Sequence, residues 1–307
     1  MKGDLNESKF RPFFKSKVDF YRFAIMAFIL ASFEPLVLAE EQTDKPKAGM
    51  PAKTAEGGEH PVSALSGFMA PTLEGPWRSR IALNGWMPTT LKITVDTESD
   101  SGSVTEDLDW LLNHLDYIIP ISGEVRKGSF GAYANLLAFK LTGTLDAGPA
   151  RLDWNDHGFL LDVGLSYQLG HWPLGTGARA PSLTVEPFAG ARLLYDPVDI
   201  DVDLGPVGGS TTVDLSNYVP VIGLRTFWDL TEHWNLRIEG DYGGFGLDDN
   251  HETYNLLGLI GYRFRGWGVG WNIQAGYRAL RLLDLKKNNA DLKVDAYGPM
   301  VALAIEF

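Results

Sequence analysis

The 307-residue chain has no cysteine. That absence excludes disulfides, thiolate metal sites, a cysteine nucleophile and the acylated cysteine of a bacterial lipoprotein. No apolar run approaches the roughly 20 residues that a membrane helix needs, and the mean hydropathy is −0.08, so a bundle of membrane helices is excluded too. Basic residues are in the minority: 27 Lys+Arg against 39 Asp+Glu give a formal charge of −12. A nucleic-acid partner is not expected, because phosphate contacts need a basic surface. What the chain does have is 45% hydrophobic residues and 34 glycines, too apolar a mixture for a disordered tail. Two classes remain: a soluble globular protein, or a membrane β-barrel whose apolar residues are dispersed by alternation.

The N-terminus points to export. Lys2, Lys9, Arg11, Lys15, Lys17 and Arg22 precede the apolar run Phe23 to Phe33, which is followed by Leu36-Val37-Leu38-Ala39 and then Glu40-Glu41. This is the layout of a secretory signal peptide over residues 1–39. Removing it takes away six basic and four acidic residues, leaving 21 against 35 and a charge of −14. Residues 40–76, rich in Lys, Glu, Pro, Ala, Gly and Thr, predict a disordered linker on the export side.

From Trp77 onward every second residue is apolar in segments about ten residues long, divided by Gly, Pro, Asn and Asp clusters. In the last segment Tyr297, Pro299, Val301, Leu303, Ile305 and Phe307 share one face, and Ala296, Gly298, Met300, Ala302, Ala304 and Glu306 the other. The same rule separates Trp234, Leu236, Ile238 and Tyr242 from Asn235, Arg237, Glu239 and Asp241. A soluble sandwich also alternates, with its apolar face inward. Here, however, aromatic residues stand at the ends of the apolar faces, among them Trp77, Tyr167, Tyr195, Tyr218, Trp234, Tyr242, Trp271 and Phe307. Rings at both ends of a greasy band match the girdles of an outer-membrane barrel.

The pattern predicts an all-β, antiparallel up-and-down transmembrane barrel over 77–307, with ten strands at about 77–88, 117–126, 130–141, 157–169, 182–196, 214–228, 234–244, 253–265, 268–281 and 294–307. Eight or twelve strands are the neighbouring alternatives. Alternate connections are short turns on one side and longer, acidic loops on the other, at 89–116, 142–156, 197–213, 245–252 and 282–293. The short side is expected to be periplasmic; the connection 170–181 fits it least well. Within the first long loop, Leu108, Leu111, Leu112 and Leu115 make a helical stripe and Ser103 to Glu106 a capping box. A helix over 103–115 is therefore predicted, placed to cap or plug the barrel.

Several stretches carry a resemblance: Val104 to Asp116, Gly123-Glu-Val-Arg-Lys-Gly-Ser-Phe-Gly131, Gly190-Ala-Arg192, Gly223-Leu-Arg225, Gly240 to Gly246, Gly261-Tyr-Arg-Phe264 and Gly276-Tyr-Arg278. Together they resemble a family of small, largely uncharacterised proteobacterial outer-membrane barrels, porin-like and ending in a C-terminal Phe. The resemblance implies fold and cell-outer-membrane location, and no reaction. Asn135 departs from it, standing where an acidic residue is expected. Tyr297, Val301, Leu303, Ile305 and Phe307 resemble the signal that such barrels present to the barrel-assembly machinery, which with outer-membrane lipid and lipopolysaccharide makes up the expected partners.

Charges with inward parity are the candidate functional residues: Arg78, Arg80, Arg126, Arg192, Arg225, Arg237, Arg263 and Arg278, with Glu124, Asp162, Glu186, Glu239, Asp241 and Glu306. An Arg facing lipid at mid-depth costs roughly 2–4 kcal/mol, so this segregation is imposed by the membrane. Two readings follow. The charges interlock into a sealed core, leaving a structural or surface-interaction role, or they line a narrow channel for a small solute, with anions favoured by the excess of Arg. A remote third is an outer-membrane hydrolase or lipid A-modifying enzyme, for which His157 with Asp156, and Ser210 or Ser216 nearby, is the best candidate. Asp196, Asp199, Asp201, Asp203 and Asp214, with Asp248, Asp249 and Glu252, are oxygen ligands in type. Asp-Ile-Asp-Val-Asp alternates like a strand, though, so neither metal nor cofactor is expected, only a solvated acidic rim that divalent cations could bridge to lipid phosphates.

Overall fold

The computed structural model describes residues 77–97, 101–147, 150–176, 180–203, 208–245, 252–287 and 290–307. The expected signal peptide and linker, with His60, Asp248, Asp249 and His251, lie outside the described residues.

The chain builds β1 (Arg78–Trp86), β2 (Thr90–Thr97), β3 (Ser101–Asp107), helix α1 (Leu108–His114), β4 (Leu115–Lys127), β5 (Phe130–Ala147), β6 (Ala150–Tyr167) and β7 (Gly170–Pro173). It continues with β8 (Ser182–Tyr195), β9 (Pro197–Asp203), β10 (Gly208–Asp214), β11 (Asn217–Asp229), β12 (Trp234–Gly243), β13 (Thr253–Gly266), β14 (Val269–Lys287) and β15 (Ala290–Glu306). Ten of these, β1, β4, β5, β6, β8 and β11 to β15, close into an antiparallel barrel. The seam is β1 against β15, with Arg80 opposite Glu306 and Trp86 opposite Met300. Each barrel strand coincides with one of the ten predicted segments.

Alternation is what closes it. On β12 the outward Trp234, Ile238 and Tyr242 are exposed and the inward Asn235 and Asp241 buried, the inverse of a water-soluble sheet. The short-turn end is made by chemistry suited to it. Gly128 has φ 59°, and Trp267-Gly268 between β13 and β14 both have positive φ, the conformation of a two-residue hairpin turn whose twist matches its strands. At the seam β15 runs past Met87-Pro88-Thr89, where β1 gives way to β2. Met87 and Thr89 donate to the carbonyls of Pro299 and Tyr297, Pro88 has no N–H to give, and Gly298 lies so close to Met87 that a Cβ would not fit.

Above the barrel four of the five expected loops are mainly strand, and most of the fifth, 245–252, lies outside the described residues. β5 and β6 run 18 residues each, β14 19 and β15 17, well past the ten or so that cross a bilayer. The hairpin β9–β10 pairs with the outer half of β6, and β2–β3 with the outer half of β15. The stretches 89–107, 142–156, 197–213 and 282–293 are thus mainly strand, because their apolar alternation continues: Ile200 and Val202 face one way, Asp199, Asp201 and Asp203 the other. On the opposite end β7 pairs with β8, which explains why 170–181 is too long for a simple turn.

The helix is shorter than predicted. Residues 101–107 pair with β2 as a strand, so Ser103 to Glu106 is no capping box; Asp107 is the N-cap and its carboxylate accepts from the Trp110 N–H at 2.9 Å. No residue of α1 is buried, and Leu112 is 54% exposed. Leu108, Leu111, Leu112 and Leu115 are thus none of them buried, and α1 meets the outer part of β6 through Trp110 and His114, which stack on Trp154.

Candidate functional site

The barrel positions its charged side chains by strand parity, and the register decides which of them meet. In the half nearer the short turns, Glu124 and Arg126 on β4, Glu186 on β8 and Arg225 on β11 converge. Arg126 donates to Glu124 at 2.9 Å and pairs with Glu186. Arg225 donates to Glu124 at 2.8 Å, to Glu186 at 2.7 Å and to the Ser166 hydroxyl at 3.1 Å. Arg126 and Glu186 are fully buried. The guanidinium of Arg225 also stands 5.4 Å from the ring of Tyr133 and 5.9 Å from that of Phe188, within cation–π range. Two carboxylates and two guanidiniums thus tie β4, β8 and β11 together across the lumen.

A second group lies further out. Arg192 on β8 donates to Asp162 on β6 at 2.7 Å, pairs with Asp241 on β12 at 3.0 Å and donates to the Thr253 hydroxyl at 2.8 Å. Asn255 donates to Asp241 at 2.9 Å and accepts from Arg278 at 2.8 Å. Arg278 stands 3.7 Å from Asp162 and lies 4.8 Å above the Trp86 ring. Smaller pairs complete the set: Arg237 with Glu239 at 2.5 Å, Arg263 with Asp229, and Arg80, which donates to Gln274 at 2.7 Å and faces Glu306 at 3.9 Å. Arg78 is half-buried beside Arg126, Glu124 and Glu306. Asn135 borders a lumen space of about 60 Å³ shared with Asp162 and Arg237.

Charge does not fill the whole lumen. Trp86, Leu160, Leu194, Leu257, Leu259, Leu280 and Met300 join one buried apolar cluster that continues through Ala296 to Val95 and Leu292 in the outer extension. Sequence reasoning missed this layer and the neutral partners Thr253, Asn255, Gln274, Ser166 and Tyr133; the buried parity of these positions was the available signal.

Of the residues considered for catalysis or metal binding, Asp156, Asp214 and Ser216 gather around Asp196, while Ser210 and the aspartates of β9 stand elsewhere. Asp156 and His157 are adjacent on β6 and so face opposite ways. Ser210 stands opposite Asp201 on the β9–β10 hairpin. Ser216 accepts from the Asp196 N–H at 3.2 Å. Asp156 instead lies against Asp196. Burial and the second carboxylate push the Asp156 carboxyl well above its ordinary range, and burial with Asp214 pushes Asp196 up as well. Asp199 accepts from Thr212 at 2.7 Å, and Asp199, Asp201 and Asp203 stand in a row along β9 instead of around a point. Of the other histidines, His171 bonds Thr184 at 3.0 Å, His233 the Arg263 carbonyl at 3.0 Å and His114 the Trp110 carbonyl at 2.7 Å.

No protein-family profile matches the chain, and no curated protein does. Among solved structures it is similar to Ail, the attachment invasion locus protein of Yersinia pestis, at 8% identity and a TM-score of 0.30, covering 75% of this chain and 98% of that one. It is also similar to a Pseudomonas aeruginosa FadL homologue at 10% identity and a TM-score of 0.27, covering 75% and 90%. A third is OccK11 (OpdR) of the same organism, at 10% identity and a TM-score of 0.18, covering 75% and 96%. At such overlap the likenesses carry no argument about function; the ten-strand barrel stands on this chain's own strand pairing.

Proposed function

We propose that the chain is an outer-membrane β-barrel whose lumen is sealed by its ion network and whose role is structural or surface-interacting, carried by the outer extension. The lattice of Glu124, Arg126, Glu186 and Arg225 carries this reading. All four are buried, they belong to strands on different sides of the lumen, and a ten-strand barrel is narrow enough for side chains to fill it. The outward apolar band with aromatic ends supports membrane placement, since such a surface would be costly in water. No catalytic residue is assigned. Phe307 with Tyr297, Val301, Leu303 and Ile305 would present the chain to the assembly machinery, and the acidic β9–β10 hairpin would face lipopolysaccharide.

The second reading, a narrow channel, draws on the 60 Å³ space beside Asn84, Asp162 and Arg237 and a smaller one of about 20 Å³ beside Arg80 and Glu124. Single-channel recording in planar bilayers separates the two. Folded protein, verified by heat-modifiable gel migration, is expected to stay electrically silent; stable current steps would establish the channel instead.

A further inference from the structure

The outer extension holds a partly open cavity of a different character from the lumen. A cavity of about 220 Å³ opens between the β2–β3 hairpin with β15 on one side and the outer parts of β5, β6, β9 and β10 on the other. Its walls include Ile93, Val104, Leu145, Leu152, Ile200 and Val213. Apart from two indoles, the polar side chains at its surface are those of Glu106, His114, Thr144 and Asp156, and no Lys or Arg is among the lining residues.

Protein interiors are packed like organic crystals, and an unfilled space forfeits the dispersion contacts of its whole lining. An engineered cavity of roughly 150 Å³ lined by aliphatic side chains stays dry and takes up benzene. This one is larger, and it carries an aromatic wall. Helix α1 sets Trp110 and His114 against Trp154 of β6: Trp110 and Trp154 lie 6.0 Å apart between centroids and within 11° of parallel, and His114 stacks on Trp110 at 4.4 Å and on Trp154 at 5.7 Å. The hydrogen bond from the His114 ring to the Trp110 carbonyl at 2.7 Å holds that ring in the stack. A seven-residue helix with no buried side chain has little packing of its own, and this stack is what attaches it to the opposite wall. Glu106 and Asp156 at the surface, in a lining whose described residues include no Lys or Arg, disfavour a fatty acid or other anion.

We propose that this cavity is a binding site for a compact, uncharged, ring-containing apolar molecule of about one or two fused rings, gripped by Trp110, His114 and Trp154. The proposal goes beyond the sealed-lumen reading and stands independently of it, because a binding measurement and a conductance measurement are separate.

Uptake of tritiated naphthalene by vesicles holding the full-length protein tests it. The wild type should retain one saturable equivalent per chain above protein-free vesicles. Ile93→Phe on β2 and Val198→Phe on β9, two lining residues on opposite walls, fill the cavity and should each abolish that equivalent while keeping the heat-modifiable migration of a folded barrel. Trp110→Ala should weaken binding about tenfold, the scale of a lost ring pair. Excess decanoate should leave the bound naphthalene in place. Uptake equal in wild type and filled variants would mean partition into lipid alone and overturn the proposal, as would saturable binding that survives both fillings or is displaced by decanoate.

Discussion

The barrel interior and the outer extension meet the same requirement, filling a space between strands, by opposite means. In the lumen, paired charges and one apolar layer leave only small spaces, the larger of about 60 Å³. In the extension, apolar residues from several strands face one another across a gap that they do not fill. The difference follows from what surrounds each region. Lipid outside the barrel takes the apolar side chains and sends the charged ones inward, where an ion left alone is costly. Above the membrane, water lies outside, the polar residues turn to it, and the strands present their apolar side chains to each other as in a soluble sandwich. One sheet thus inverts its inside and outside along its own length.

Losing a shared lumen carboxylate should set the two regions furthest apart. Glu186→Ala leaves Arg126 and Arg225 each short of a partner in a buried site, and the expected cost is about 3–5 kcal/mol, read as a loss of heat-modifiable folding or a lower urea midpoint in vesicles. A cost no larger than that of a surface substitution would mean the lattice is not what fills the lumen. In the extension, Ile200→Ala removes a buried side chain that packs with Leu152 and Val213. Its expected cost is about 2–3 kcal/mol, and the damage should be local: limited proteolysis cuts the β9–β10 hairpin sooner while the barrel keeps its gel migration. If the barrel unfolds with the hairpin, the two regions are a single cooperative unit.

The smallest effect concerns pH. Asp156 and Asp196 both have raised folded-state values, so the folded extension holds protons that the unfolded chain releases. Its stabilisation is fully present in acid and falls as pH rises above the ordinary aspartate value of 3.8. Protease resistance of the extension should therefore decline with rising pH, and Asp156→Asn should flatten the profile. Resistance that grows with pH would mean that the two carboxyls are not raised in the folded extension.

How much of this is legible in the sequence depends on which solvent imposed the pattern. All ten barrel strands can be read from alternation, because lipid on one face and a crowded lumen on the other leave each residue one place to go. Parity likewise marks Arg126, Glu186 and Arg225 as inward. It does not say that Arg192 meets Asp241 across the lumen, since partners on non-neighbouring strands depend on the stagger of the closed sheet. The helix boundary fails for a related reason. Ser101 to Asp107 can follow either period, and pairing with β2 decides for strand, a tertiary choice that local propensity does not contain. The cavity is least legible of all, because its walls come from segments scattered between Leu91 and Val294.

The seam between β1 and β15 bears on the order of folding. It joins the two ends of the barrel in sequence, so its pairing carries the largest loop-closure entropy of any strand pair, and pairings of that kind form late and slowly. The hairpins β5–β6 and β13–β14 need no such wait. β1 is also the shortest barrel strand, at nine residues, and its continuation along β15 is interrupted at Pro88. Arg80 reaches from β1 over to Gln274 on β14 and Glu306 on β15, which makes it a clasp across the last joint to shut and the first to open.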